Sequence, residues 1–449
     1  MSLYLRIAVS MAIASSWGGA SFAQVSSLGL PPAAGTGGSF VDASIVRDSE
    51  INQSLDLLND FYPAIEVTIY DHDNVRRRSD VDEQDLKISV QPSLAYRSNL
   101  GRHKFYLAYK GTFTFHDDLT EEDAQANDVN AQLALDLSHR WDLHLSAGVG
   151  ESYEERGTSG SRGFNQLVPG LDDTVDDVNY ARLSADLIYG RKVSPLVGVL
   201  GFEKRTSDYQ NNFQGSENPS GGRNRDVDTL HLDLSYQIAN RTSIFGRIDH
   251  SEIDYDRSIN SLDSNQEAYL LGLRWKPSNA LSGTVGIGRT EKDFDDSVRA
   301  DYQGSSYYAN LVYNISPFSH LNLNASRFIE EPGDEFSDYY ESDLLGVSWN
   351  HSLSYRLDFS AFVKWVDDDY NTDREDEFVD FGLGLDYIWR PWLSAGLYYG
   401  EIDRTSSLPG VDYEDKYFGI RLRSDLRSLL KGRGSRDYQR LDREIPEYR

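Results

Sequence analysis

The sequence predicts an all-β fold: a transmembrane, up-and-down antiparallel β-barrel of about 18 strands, with long extracellular loops and short periplasmic turns. Three observations predict it. A short apolar run stands at the N-terminus, and every second residue is apolar in stretch after stretch of residues 61–426. The connections between those stretches are alternately long and short, the pattern of a barrel whose strands cross an outer membrane.

At the N-terminus, Arg6 precedes the apolar segment Ile7 to Ala14, and small residues follow (Ser15, Ser16, Gly18, Gly19, Ala20, Ser21, Ala23). That order describes a secretory signal peptide over 1–23, cleaved after Ala23. The run is too short to be a membrane span, which needs about 20 apolar residues. Residues 24–60 are small, polar and rich in Pro and Gly, so they read as a flexible periplasmic leader. The leader is too short to hold the internal plug of the 22-stranded transporters.

From Phe61 the chain alternates with period two, the strand signal. In Thr229–Ile238, Leu230, Leu232, Leu234, Tyr236 and Ile238 oppose His231, Asp233, Ser235 and Gln237. In Val379–Tyr387, Val379, Phe381, Leu383, Leu385 and Tyr387 oppose Asp380, Gly382, Gly384 and Asp386. Such stretches fall at 62–71, 84–97, 102–116, 126–139, 141–154, 177–190, 194–208, 226–238, 241–254, 265–276, 280–294, 302–314, 318–330, 338–351, 353–367, 375–389, 392–404 and 413–424.

The short connections include Ser98–Gly101, Asn240–Arg241 and Arg390–Pro391; the long ones are acidic and polar, and the longest, within 151–176, is the candidate for a loop that folds into the lumen. A soluble sandwich has no reason to sort its connections by side, and no blade motif marks a propeller. Tyr and Trp gather at the ends of the stretches (Trp141, Tyr189, Tyr236, Trp275, Tyr313, Trp349, Trp389, Trp392), as interfacial rings do. After the last stretch, residues 427–449 carry seven basic and four acidic side chains and read as a basic periplasmic tail.

Composition excludes several classes. The 449 residues hold 72 Asp+Glu against 44 Lys+Arg, a formal charge of −28, which leaves no basic footprint for nucleic acid. There is no Cys, so thiol catalysis, disulfides and Cys-ligated metals are out. Nine His are scattered without an HExxH, GxSxG or SxxK context, and no enzyme is expected. Asp367, Asp369, Asn371 and Asp373 alternate as in a calcium loop, but Thr372 stands where Gly is needed and Phe378 where Glu is needed. No metal or cofactor is expected; contact of the solvated loops with lipopolysaccharide is.

Eighteen strands enclose a lumen too wide for side chains to fill. The residues assigned to its wall are Lys87, Gln91, Lys104, Tyr106, Lys110, Asp142, His144, Arg182, Asp186, His231, Asp233, Tyr308, Arg356, Asp358, Lys364, Asp380, Asp386, Arg421 and Arg423. Both signs of charge are mixed among them. That mixture suits a polar, uncharged or weakly charged solute held by hydrogen bonds and aromatic faces.

The run YPAIEVTIYDHDNVRRRSDVDEQDLKISVQPSLAYRSNLGRHKFYLAYKG, with Asp73-Asn74-Val75 after the first strand, Pro92 in the second and a Tyr-rich third, resembles the putative β-barrel porin 2 family of exopolysaccharide gene clusters. The resemblance covers most of the mature chain. It implies an outer-membrane channel for a secreted polysaccharide, with a periplasmic export protein of the Wza-like type as partner. A general or sugar-selective diffusion porin, and an adhesin or structural barrel that displays its loops, are the alternatives.

Overall fold

The computed structural model describes residues 60–79, 82–157, 175–190, 194–210, 223–256, 262–276, 278, 280–333, 336–390 and 392–426. The expected signal peptide, residues 24–59 of the expected leader, and the tail 427–449 lie outside the described residues, as do 158–174 of the longest loop.

The described chain forms 18 strands: β1 (Asp60–His72), β2 (Asp85–Leu100), β3 (His103–His116), β4 (Ala124–Asp136), β5 (Trp141–Glu154), β6 (Asp176–Tyr189), β7 (Leu196–Tyr209), β8 (Arg225–Ala239), β9 (Thr242–Tyr255), β10 (Ser264–Trp275), β11 (Leu281–Phe294), β12 (Tyr302–Ser316), β13 (Ser319–Glu330), β14 (Tyr340–Ser354), β15 (Leu357–Tyr370), β16 (Glu375–Arg390), β17 (Leu393–Ser406) and β18 (Tyr413–Asp425). Each pairs antiparallel with its sequence neighbours, and β18 pairs with β1 from Ala64↔Asp425 to His72↔Tyr417, which closes the sheet. One 3-10 turn, Thr120–Glu122, sits between β3 and β4.

The strands match the alternating stretches to within four residues, the largest shift being the start of β15 at Leu357 rather than 353. There the alternation Leu353, Tyr355, Leu357 runs straight through a turn. A register shift between Ser352 and Ser354 lets Tyr355 and Arg356 form that turn.

The pleat sorts side chains onto two surfaces. On β8, Leu230, Leu232, Leu234, Tyr236 and Ile238 are exposed on the outside, while Arg225, Val227, Thr229, His231, Asp233 and Ser235 are buried toward the lumen. Across the register, Leu232 meets Ile248, which meets Tyr269, so the exposed apolar residues form one continuous belt. Nine residues of a tilted strand cover about 25 Å, the height of an outer-membrane hydrocarbon band. Trp141 and Tyr189 (ring centroids 5.0 Å apart), Trp349 and Trp389 lie at the periplasmic rim of the belt, where one face of a ring meets lipid and its polar atom meets water.

On the other rim the outer face changes character within one residue pair. Above Leu230 and Ile248 stand Asp226, Asp228, Glu252 and Asp254; above Ile287 stand Glu291 and Asp293; above Val363 and Phe381 stand Asp367, Asp369, Glu375, Glu377, Glu401 and Asp403. Several of these carboxylates oppose one another directly, as in Asp228↔Glu252 and Asp367↔Glu377. Like charges so placed are tolerable only in water. This acidic collar therefore marks where the wall leaves the bilayer.

The depth of the belt makes a measurable prediction. Leu232→Arg, at mid-belt, should cost about 2–4 kcal/mol, and Asp254→Arg, in the collar, about 0–1 kcal/mol. Equilibrium refolding into lipid vesicles checks this; equal costs at the two positions would misplace the belt.

Candidate functional site

Inside the barrel, the wall differs between its two ends. At the extracellular end the inward residues are buried almost all the way around: His72, Asp85, His116, Glu154, Asp176, Tyr209, Arg225, Tyr255, Ser264, Tyr302, Tyr340, Tyr370, Asp376, Arg404, Tyr413 and Asp415. Side chains fill the lumen there, against the expectation that 18 strands leave it aqueous throughout. Toward the periplasm the wall is more accessible in two opposite sectors: on β3–β4, where Lys104 and Lys110 are exposed and Asn130 and Gln132 half-buried, and on β13, where Asn322 and Asn324 are half-buried.

The closure is made chiefly by four consecutive residues that leave β5. Glu154 takes both terminal nitrogens of Arg223 at 2.8 Å and the Tyr209 hydroxyl at 3.0 Å. Glu155 accepts from Lys87 Nζ at 2.6 Å and from Arg77 Nη2 at 3.3 Å. Arg156 donates from Nε to Glu122 at 2.8 Å, and its carbonyl accepts from Arg77 Nη1 at 2.8 Å. The Gly157 carbonyl accepts from the Tyr413 hydroxyl at 2.9 Å. Residues 154–157 are thus tied to the β8 side, to β2, to the 3-10 turn and to β18 at once.

Local backbone geometry permits this crossing. Gly157 has φ +72°, and a Cβ there would lie 2.5 Å from the Tyr413 ring, so only glycine fits. Arg77, between β1 and β2, also adopts a left-handed conformation, φ 52°, at a cost of about 1–2 kcal/mol. Its bonds to Arg156, Glu155 and, at 3.5 Å, Asp415 hold it there. Asp415 in turn receives His72 Nδ1 at 3.0 Å. These groups surround a cavity of about 30 Å³, room for a water molecule.

Burial alone would push the Glu155 carboxyl up, but the Lys87 ammonium and the Arg77 guanidinium outweigh it and hold it at about 2. Burial likewise works against the Arg77 charge, and the Tyr413, Glu155 and Asp415 oxygens reverse it, leaving Arg77 above its ordinary value. The contacts at the mouth are between opposite charges.

The sequence-assigned wall residues fall in three places. Lys87 belongs to the closure, and Asp380 stands close enough to act on Arg77 and Lys364. In mid-wall, Asp186 meets His231 (3.2 Å), Asp233 takes Arg274 (2.7 Å), Glu203 takes Arg182 (2.6 Å), and Asp386 takes Arg421 (2.8 Å), which lies over the Tyr398 ring. Tyr308 faces Phe245, and Gln91 donates to Ser89. Lys104, Tyr106, Lys110, Asp142, His144, Asp358 and Arg423 alternate with outward apolar or aromatic residues nearer the periplasm or, for Lys110, at mid-height. Arg356 is corrected: it is exposed in the turn before β15, outside the strand wall, and its guanidinium lies over the exposed ring of Tyr355 at the rim.

The residues that close the mouth, Arg77, Glu122, Glu155, Arg156, Tyr413 and Asp415, were not singled out from the sequence. They sit in loops or at strand ends, and the His72–Asp415 pair spans 343 positions. Of the 151–176 loop, the described Gly157 reaches Tyr413 through its carbonyl, and 158–174 lie outside the described residues.

A family model described as putative beta-barrel porin 2 matches residues 61–426. Among solved structures, the chain is similar to three from Pseudomonas aeruginosa: OpdK with vanillate (11% identity, TM-score 0.46, covering 81% of this chain and 98% of that one), OccK2 (OpdF) in complex with glucuronate (11%, 0.45, 82% and 98%) and OpdQ (12%, 0.43, 82% and 99%). No curated protein matches the chain.

Two outcomes follow for single-channel recording in planar bilayers. Lys87→Met leaves the largely buried Glu155 carboxylate to Arg77 alone, at a cost of about 1–3 kcal/mol, so the open population should rise roughly ten- to a hundredfold at neutral pH. An unchanged open population would remove Lys87 from the closure. Because Glu155 is held below its unfolded value of 4.5, its contribution is complete above pH 4.5 and lost as pH falls toward about 2. Conductance should therefore stay low from pH 8 to 5 and rise below 4.5, a rise that Glu155→Gln abolishes.

Proposed function

The chain belongs to the putative beta-barrel porin 2 family, and on that premise we propose that this outer-membrane, porin-like barrel exports a secreted exopolysaccharide with the help of a periplasmic partner. The observation that carries the proposal is the asymmetry of the lumen. A diffusion porin works through a path that stays open. Here the outer end is sealed by charge-assisted bonds while the wall facing the periplasm is looser, an arrangement suited to a solute delivered from inside.

The wall chemistry agrees with such a solute. Its charges are mostly paired within the wall, as in Arg182–Glu203, Arg274–Asp233 and Arg421–Asp386, so little net field remains to select ions. Between the pairs lie hydroxyls and amides, including Asn310, Asn322, Asn324, Ser326 and Ser348. Those groups exchange hydrogen bonds with water and with sugar hydroxyls at similar cost, and Tyr106 and Tyr308 offer ring faces. A polymer threading the lumen makes many weak contacts at once, and their sum can displace residues 155–157.

We assign the signal peptide to 1–23, the periplasmic leader to 24–60, the barrel to 61–426 and a periplasmic tail to 427–449. Strands β1 and β18 begin and end on the periplasmic side, so leader and tail both emerge where an export partner would dock. The basic tail, opposite in sign to the whole chain, is the natural contact for an acidic partner surface. The residues assigned to pore lining are those of the wall described above, without Arg356.

A sugar-selective diffusion porin is the second reading, favoured by the same hydroxyl-rich wall. Deleting the gene in its native host and measuring secreted polysaccharide alongside small-sugar uptake separates the two. Export predicts lost secretion with normal uptake, restored by the wild-type gene. Normal secretion with slowed uptake would overturn it in favour of the porin.

A further inference from the structure

The lipid-facing wall carries a feature that the channel does not use. On β9, Gly246 faces outward between Ile244 and Ile248, and the register sets it beside Leu234 of β8 and Leu271 of β10. Gly246 lies in a shallow, open groove of about 480 Å³ lined also by Leu232, Leu234, Ile248, Tyr269, Leu271 and Ile287. That volume lies within the range of about 300–1,000 Å³ typical of small-molecule sites. Leu271 and Ile287 are 66% and 70% exposed, so nothing in the barrel covers them.

The upper end of the groove is cationic. Arg289 lines it and stands one residue pair above Ile287, at the height where the belt gives way to the collar. Its guanidinium is half exposed and has one ion pair, to Glu291 at 2.8 Å, which leaves other donors turned to solvent. The other arginine at the groove, Arg247, is committed to Asp249 inside the lumen. An apolar slot in the hydrocarbon layer with a guanidinium at the headgroup level matches a lipid that carries an acyl chain below a phosphate.

We propose that this groove on β8–β11 is a defined binding site for one phosphorylated glycolipid of the outer leaflet, its acyl chain along Gly246 and Leu271 and its phosphate on Arg289. This goes beyond the general contact that every barrel makes with lipid, because it fixes one molecule at one position on the wall. A second copy of the chain is the alternative occupant, and the test below separates the two.

Gly246 also provides the test. A Cβ there would meet nothing nearer than the Leu270 carbonyl oxygen at 3.9 Å, so Gly246→Leu fills the groove without disturbing the barrel. The full barrel is delipidated in mild detergent, its folding is confirmed by migration of unboiled samples, and diphosphoryl lipid A is titrated while bound mass is read by native mass spectrometry.

Wild type should hold one lipid A, and Gly246→Leu about tenfold less at equal lipid, a difference of 1.4 kcal/mol. Arg289→Gln should lower occupancy by diphosphoryl lipid A but not by its dephosphorylated form. Equal occupancy in wild type and Gly246→Leu would overturn the site, and so would a wild-type dimer that Gly246→Leu converts to monomer without lipid bound. Loss of binding in Gly246→Leu with no phosphate dependence in Arg289→Gln would overturn the phosphate assignment.

Discussion

A strand in hydrocarbon has no water to satisfy its amides, so each N–H and C=O must find a partner in the next strand. The pairing of β1 with β18 satisfies the last of them, and the rest of the molecule depends on it. With no edge left, the two faces of every strand are assigned once, and one residue of slippage would turn lysines and aspartates into the bilayer. The same closure sets the size of the interior. Eighteen strands enclose more space than their inward side chains would fill if each pointed straight to the axis.

The molecule resolves that surplus differently at its two ends. At the periplasmic end the space is left to solvent. At the extracellular end it is occupied by long side chains, Arg, Lys, Tyr and Glu, and by a backbone segment that leaves β5 and crosses toward β18. Charges buried this way are stable only when paired, because each unpaired one would carry the desolvation cost alone. The pairing is nearly reciprocal: Lys87 and Arg77 serve Glu155, Arg156 and Arg76 serve Glu122, and Arg77 and His72 serve Asp415. Losing one partner therefore disturbs several neighbours.

Much of the barrel was legible in the sequence because period two is a local signal. Leu230, Leu232 and Leu234 announce an outward face without reference to any distant residue, and the sorting of long from short connections gives the topology. The error at β15 has the same origin, since Leu353, Tyr355 and Leu357 keep the alternation through a turn. The mouth was not legible. Its contacts join positions 77 and 156, 87 and 155, and 157 and 413, and an acidic or basic residue in a long loop looks the same whether it meets solvent or an opposite charge. Gly157 carried the faintest hint, as a glycine in the longest loop, but glycine is common in loops for other reasons.

The collar has a consequence for how the channel responds to its surroundings. Asp415 and Tyr413 alternate along β18 with Glu414 and Lys416, and Glu414 lies opposite Asp403 of the collar. The closing contacts are therefore level with the collar, above the hydrocarbon. Changes in membrane thickness or tension, which bear on the belt below, reach those contacts only through the stiffness of the strands. The closing contacts stand apart from the mechanics of the membrane the barrel pierces, and as ion pairs at the outer rim they face the ionic composition of the medium outside.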